Sequence, residues 1–167
     1  SNIDMLPQEM KQCIFLFDSF FLNIDRTARN TNIITSDEGV FVTDMGASLL
    51  PSSIITGTRF GQNAKVIEQL TRHPFFADYV DISLLTDRLS MILEKDISTI
   101  VSAIPSIWLD KPDDRIRLSE GLINSFRDSE SFSGLMSNIK TIPRLSEEEV
   151  RRRNAVNRVL FDERLDK

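Results

Sequence analysis

The first clear apolar pattern lies close to the start of the chain. Over residues 5–22, Met10, Ile14, Phe17 and Phe21 recur at steps of three and four, and Cys13, Leu16 and Phe20 form a second row beside them. Both rows follow the helical period, so the stretch predicts a core helix packed on more than one side, with Pro7 suited to its first turn. The pattern then changes. Residues 23–31 are polar and lack a period. "NIIT" and "VFVT" are short β-branched runs separated by "SDEG", where Gly39 is free to take positive φ, and they predict one β-hairpin over 32–43.

Asp44-Met45-Gly46 stands at the far end of that hairpin, inside "DMGASLLPSS", which reads as irregular. Helical spacing returns at about 62–72, 82–94, 96–103, 113–127, 132–139 and 146–164. Ser146 and Glu149 have capping-box spacing at the start of the last of these. The expected architecture is mainly α with one small β-hairpin, a single helical lobe over 1–167 with no repeat or dividing linker. Phe15, Phe17, Phe20, Phe21 and Trp108 are expected in its core.

Composition narrows the function classes. With 167 residues the chain can bury a core without disulfides, and its formal charge of −5 argues against direct nucleic-acid binding. The single cysteine, Cys13, falls in an apolar run and is expected to be a structural thiol; a chain with one cysteine leans towards a cytoplasmic setting. His73 is the one histidine, in "TRHPFF", and is expected to be a packed or surface turn residue. No apolar run is long enough to span a bilayer. "RRR" at 151–153 follows three acids and is expected to be a solvated helix face, the alternative being a nucleic-acid or partner patch.

The chemistry is written in the polar loop. Asp25 precedes Asn30 by five residues, a hairpin follows, and Asp44-x-Gly46 closes it. Phosphoryl transfer needs one carboxylate to orient the attacking hydroxyl and hard oxygen ligands for magnesium. The protein-kinase pattern supplies them in this order, with an Asp, an Asn five residues on, and a second Asp followed by x-Gly beyond a hairpin. A hairpin returns the chain to where it began, so Asp44 can come near Asn30, with Gly46 expected to let the backbone turn away after it. The bland reading is a polar loop closed by Asp and Asn turns. Asn23 and Asn32 are expected to brace the loop through side-chain to backbone bonds.

The stretch "FDSFFLNIDRTARNTNIITSDEGVFVTDMGASLL", with the later "LTRHPFF" and "IVSAIPSIWL", resembles the HipA-like kinases over about residues 8 to 110. That family carries an Asn-x-Asp-Arg-x-x-x-Asn loop, a short hairpin and an Asp-x-Gly-Ala-x-Leu stretch. The resemblance implies the larger, C-terminal lobe of a protein-kinase-like fold, an ATP- and magnesium-dependent phosphotransferase, and a protein hydroxyl as acceptor. By matching position it makes Asp25 catalytic and Asn30 and Asp44 the magnesium ligands. Arg26 and Arg29 match basic positions in the loop, where they can bind the γ-phosphate of ATP, steady Asp25, or pair at the surface with acids such as Asp37 and Glu38.

Two motif positions depart from the common kinase pattern, Asn-Ile-Asp for His-Arg-Asp and Met45 for Phe. No glycine-rich loop or Val-Ala-x-Lys strand precedes residue 5. The smaller, nucleotide-clamping lobe is thus expected to be missing from this chain and supplied by the same or another one, leaving weak activity without it. Two further readings stay open: a non-catalytic interaction module built on a kinase lobe, and a small-molecule kinase sharing the same loop.

Overall fold

The computed structural model describes residues 3–58, 62–76 and 81–141. Among them the chain runs α1 (Gln8–Phe21), β1 (Ile33–Ser36), β2 (Gly39–Val42), α2 (Leu50–Thr56), α3 (Ala64–Leu70), α4 (Ser83–Ser90), α5 (Glu94–Ser102), α6 (Asp114–Arg127) and α7 (Ser129–Thr141). Short 3-10 turns occupy Ile3–Met5 and Ser106–Trp108. The mainly helical class with one hairpin is observed, as the apolar pattern implies. No described helix is long and apolar enough to cross a membrane.

Helix α1 is the centre of the molecule. Its Phe15 and Leu16 are fully buried and Phe20 nearly so, against Ile67 and Leu70 of α3, Leu85 and Leu89 of α4, and Phe132, Met136 and Ile139 of α7. Each such side chain is worth about 1.5–3 kcal/mol on removal from water. Phe20 stacks on Phe126 at 5.2 Å between ring centres and meets Phe132 edge-on at 5.7 Å. A second, smaller cluster joins Ile97 and Val101 of α5 to Leu118 of α6. Helix α6 also packs on α2, and a Cβ at Gly121 would run into the Ile54 side chain there. Glycine is what lets those two helices approach.

In the hairpin, Ile33 faces Val42, Ile34 faces Phe41 and Ser36 faces Gly39. Gly39 has φ of 143°, the positive value expected of it. Ile33 is buried beneath, whereas Ile34 and Phe41 form an exposed cross-strand pair.

Four expectations change. Residues 50–56 are helical, not irregular: Pro51 sits in the first turn, where a missing N–H costs nothing, and Gly57 ends the helix at φ 73°. The helix expected over 82–94 stops at Ser90, and a new one begins at Glu94, where the Asp96 carboxylate accepts the Leu93 N–H at 3.3 Å. Trp108 is not a core residue; it is 76% exposed and Ile107 beside it 89%. Phe17 lies at the rim, 38% exposed, tilted against Phe21 at 4.7 Å. Cys13 is half-buried. The helix expected over 146–164, its Ser146/Glu149 box and the arginines 151–153 lie outside the described residues.

Candidate functional site

The site is a closed excursion of the chain from the end of α1. That helix ends at Leu22, which takes the left-handed conformation (φ 55°), so that the Asn23 N–H reaches the Asp18 carbonyl at 2.8 Å. A leucine there costs about 1–2 kcal/mol, which burial of its side chain offsets. The chain departs at Asn23 and comes back beside it: Asn23 and Ser48 form an antiparallel bridge, and the Leu49 N–H bonds to the Leu22 carbonyl at 3.2 Å.

Within the excursion, Thr27 and Asn30 exchange two backbone bonds, of 3.0 and 3.1 Å, which fold the loop tightly with Ala28 and Arg29 at its tip. The fold returns Asn30 to Asp25, and the Asn30 amide donates to the Asp25 carboxylate at 2.7 Å. A carboxylate cannot donate back, so Asn30 Oδ1 is left as an acceptor. On the other side of the hairpin neck, the Asn32 amide donates to Asp44 Oδ2 at 3.2 Å. The Thr43 N–H and hydroxyl both donate to the Asn32 carbonyl, at 2.9 and 3.0 Å. Asn32 and Asp44 each have positive φ, 47° and 57°. Asp and Asn tolerate that region better than other side chains do, and strained residues of this kind gather at functional sites.

Two details correct the sequence reading. The sharp turn after the hairpin is made by Asp44 itself and not by Gly46, whose φ is not in the left-handed range. The side chains of Asn23 and Asn32 bond to carboxylates, those of Asp18 and Asp44, instead of to backbone.

The arginines part company. Arg29 is exposed at the loop tip, and Arg26 is only 1% exposed. The Arg26 Nε donates to Asp18 Oδ2. One terminal nitrogen donates to the carbonyls of Thr31 (2.7 Å) and Asn32 (2.9 Å), and the other to that of Thr43 (3.1 Å), with Asp18 Oδ1 at 3.5 Å. Its ion pair is therefore with Asp18 and neither with Asp25 nor with Asp37 or Glu38. The five N–H groups of a guanidinium are all used in this way, and none is left for a phosphate.

Asp18 lies fully buried on α1 and takes two further bonds, from the Asn23 amide at 3.0 Å and from His73 Nε2 at 2.9 Å. Phe75 donates its backbone N–H to His73 Nδ1 at 3.1 Å, which makes Nε2 the protonated nitrogen of a neutral ring. Burial holds the imidazole below its ordinary pKa in spite of the opposing pull of Asp18. Burial pushes the Asp18 carboxyl up, but the bonds from His73, Arg26 and Asn23 more than offset it and leave it below the usual carboxylate value. His73 is thus packed, with Phe15 at 5.1 Å between rings. Nothing in the motif pointed to Asp18 or His73. The available signal was an Asp in the middle of "CIFLFDSFF", where an unpaired charge cannot stay buried.

Asp25, Asn30 and Asp44 are exposed, and neither carboxylate is in an ion pair among the described residues. No group of three or more His, Cys, Asp or Glu gathers as a metal cage among the described residues. Magnesium at phosphate sites takes only one or two carboxylates and fills its octahedron with water and phosphate oxygens. A carboxylate at Asp44 and an amide oxygen at Asn30 suit that ion. A cavity of about 350 Å³ lies elsewhere, lined by Phe20, Leu22, Leu50 and Phe132 among others, and none of the three site residues borders it.

A family model described as HipA-like kinase matches residues 1–129. No match was found among curated proteins or among solved structures.

Proposed function

This chain belongs to the HipA-like kinase family, and from that premise we propose that it is the catalytic-loop lobe of an ATP- and magnesium-dependent phosphotransferase acting on a protein hydroxyl. The observation that carries the reading is the double pairing at the hairpin neck, Asp25 with Asn30 and Asn32 with Asp44. It holds two exposed carboxylates and one amide oxygen in fixed hydrogen-bonded frames.

In this reading Asp25 accepts the proton of the acceptor hydroxyl as its oxygen bonds to the γ-phosphorus and ADP departs. The Asn30 amide fixes which Asp25 oxygen faces the acceptor. Asn30 Oδ1 and the Asp44 carboxylate would hold magnesium, which when bound with ATP offsets the charge on the phosphates. Arg29, exposed at the loop tip, is the arginine available to a phosphate. A nucleotide-clamping lobe, in the same or another chain, would close over the exposed Ile34 and Phe41 of the hairpin.

The test uses the complete protein and magnesium–ATP as the probe. Calorimetry should give saturable, magnesium-dependent binding that is lost in Asp44→Ala. Asp25→Asn should keep that binding and abolish phosphoryl transfer. Normal transfer by Asp25→Asn would remove the role given to Asp25. The exposed Ile107 and Trp108 favour a second reading, a non-catalytic kinase-derived module; absence of any response to magnesium–ATP would support it instead.

A further inference from the structure

Each of the three proposed site residues is the sequence neighbour of a group fastened to one guanidinium. Asp25 precedes Arg26 itself. Asn30 precedes Thr31, and Asp44 follows Thr43, whose carbonyls Arg26 binds at 2.7 and 3.1 Å. The Asn32 carbonyl, from the residue that pairs with Asp44, is bound at 2.9 Å. One planar group thereby joins the loop, the hairpin entry and the hairpin exit. It is held in turn by Asp18 of α1, and Asp18 by His73 from beyond α3.

We infer that Arg26, Asp18 and His73 are positioning residues, a buried chain of contacts that sets where Asp44 stands relative to Asp25 and Asn30. Arg26 adjoins the proposed catalytic residue, yet it points inward and acts through the backbone. Lysine cannot substitute: it offers a single point charge where the guanidinium offers a rigid fork wide enough for three carbonyls and a carboxylate. The buried ion pair is costly to assemble, and that cost is intelligible if the pair specifies geometry. His73 extends the chain of contacts to a segment far away in sequence, so the loop is registered against the helical core.

This inference rests on the kinase reading for its consequence in turnover, but its structural half does not. The experiment is therefore read in two ways on the full protein. Side-chain amide NMR signals of Asn30 and Asn32, recorded without nucleotide or metal, report the contacts to Asp25 and Asp44. Arg26→Lys should move both signals towards those of free amides, and should cut ATP turnover per folded molecule about 100-fold, the scale of an ångström of misplacement. Should Arg26→Lys fail to fold, His73 provides the second pair: His73→Gln, which keeps an N–H for Asp18, should leave both signals in place, and His73→Phe should shift them. Unmoved amide signals in Arg26→Lys, or in His73→Phe when that pair is used, would overturn the inference whatever the turnover. A wild-type protein without magnesium-dependent ATP binding would overturn the kinase reading alone, since the amide signals still decide the positioning role.

Discussion

Two arginines in this molecule do the same thing in different surroundings. Arg26 gathers the carbonyls of Thr31, Asn32 and Thr43 at the hairpin neck. Arg115 of α6 gathers those of Val101, Ser102 and Ile104, at 2.6, 2.9 and 2.7 Å, where α5 ends. Arg115 is only partly buried, and the negative end of a helix dipole lies in front of it. Among the described residues it has no carboxylate partner, and it does not require one. Arg26 is buried among irregular carbonyls, so its charge has to be met by a buried acid, and the acid must be held by a histidine and an asparagine. The same chemical device is a local cap at the surface and the keystone of a network in the interior.

Mutation can separate the two cases. The largest effect is expected for Asp18→Ala, which leaves the Arg26 charge buried and unpaired and should cost about 3–5 kcal/mol in urea unfolding. Arg115→Ala should cost only about 1–2 kcal/mol, because water can reach the released carbonyls at the end of α5. Equal losses in the two variants would contradict the distinction between keystone and cap.

The smallest effect concerns pH. His73 and Asp18 both have folded pKa values below their ordinary ones, so the unfolded chain binds more protons than the native state as pH falls. The His73 contribution is complete above about pH 6.5 and is lost as pH falls from there through its lowered folded value. That of Asp18 is complete above the ordinary carboxylate range and is lost only in stronger acid. The melting temperature should therefore fall between pH 7.5 and 5.5, and His73→Phe should flatten that slope. No change in slope would mean that the ring is as free to charge in the folded chain as in the unfolded one.

Much of the architecture was legible from the residues. The two apolar rows of α1 announced a central helix, and the β-branched runs around "SDEG" announced the hairpin to within a residue or so, because side-chain period follows directly from backbone geometry. Helix α2 was hidden because Pro51 resembles a breaker unless its place in the first turn is known. Trp108 misled for a related reason: size and apolarity favour burial on average, but which apolar side chains a small core admits depends on packing partners absent from a one-dimensional pattern.

At the candidate site, the order Asp25, Asn30, Asp44 and the hairpin between them are properties of the chain alone, as is the match to the HipA-like kinase family. Only the tertiary structure decided that Arg26 turns inward, that Asp18 and not Asp25 receives it, and that His73, fifty-five residues from Asp18, completes the set. The physical reason is the range of the interactions. Periodicity and turn chemistry act between residues a few positions apart and leave a trace in the sequence. A buried charge can be satisfied by any residue that folding brings within about 3 Å, and the sequence does not record the distance between two segments that meet only when the core closes.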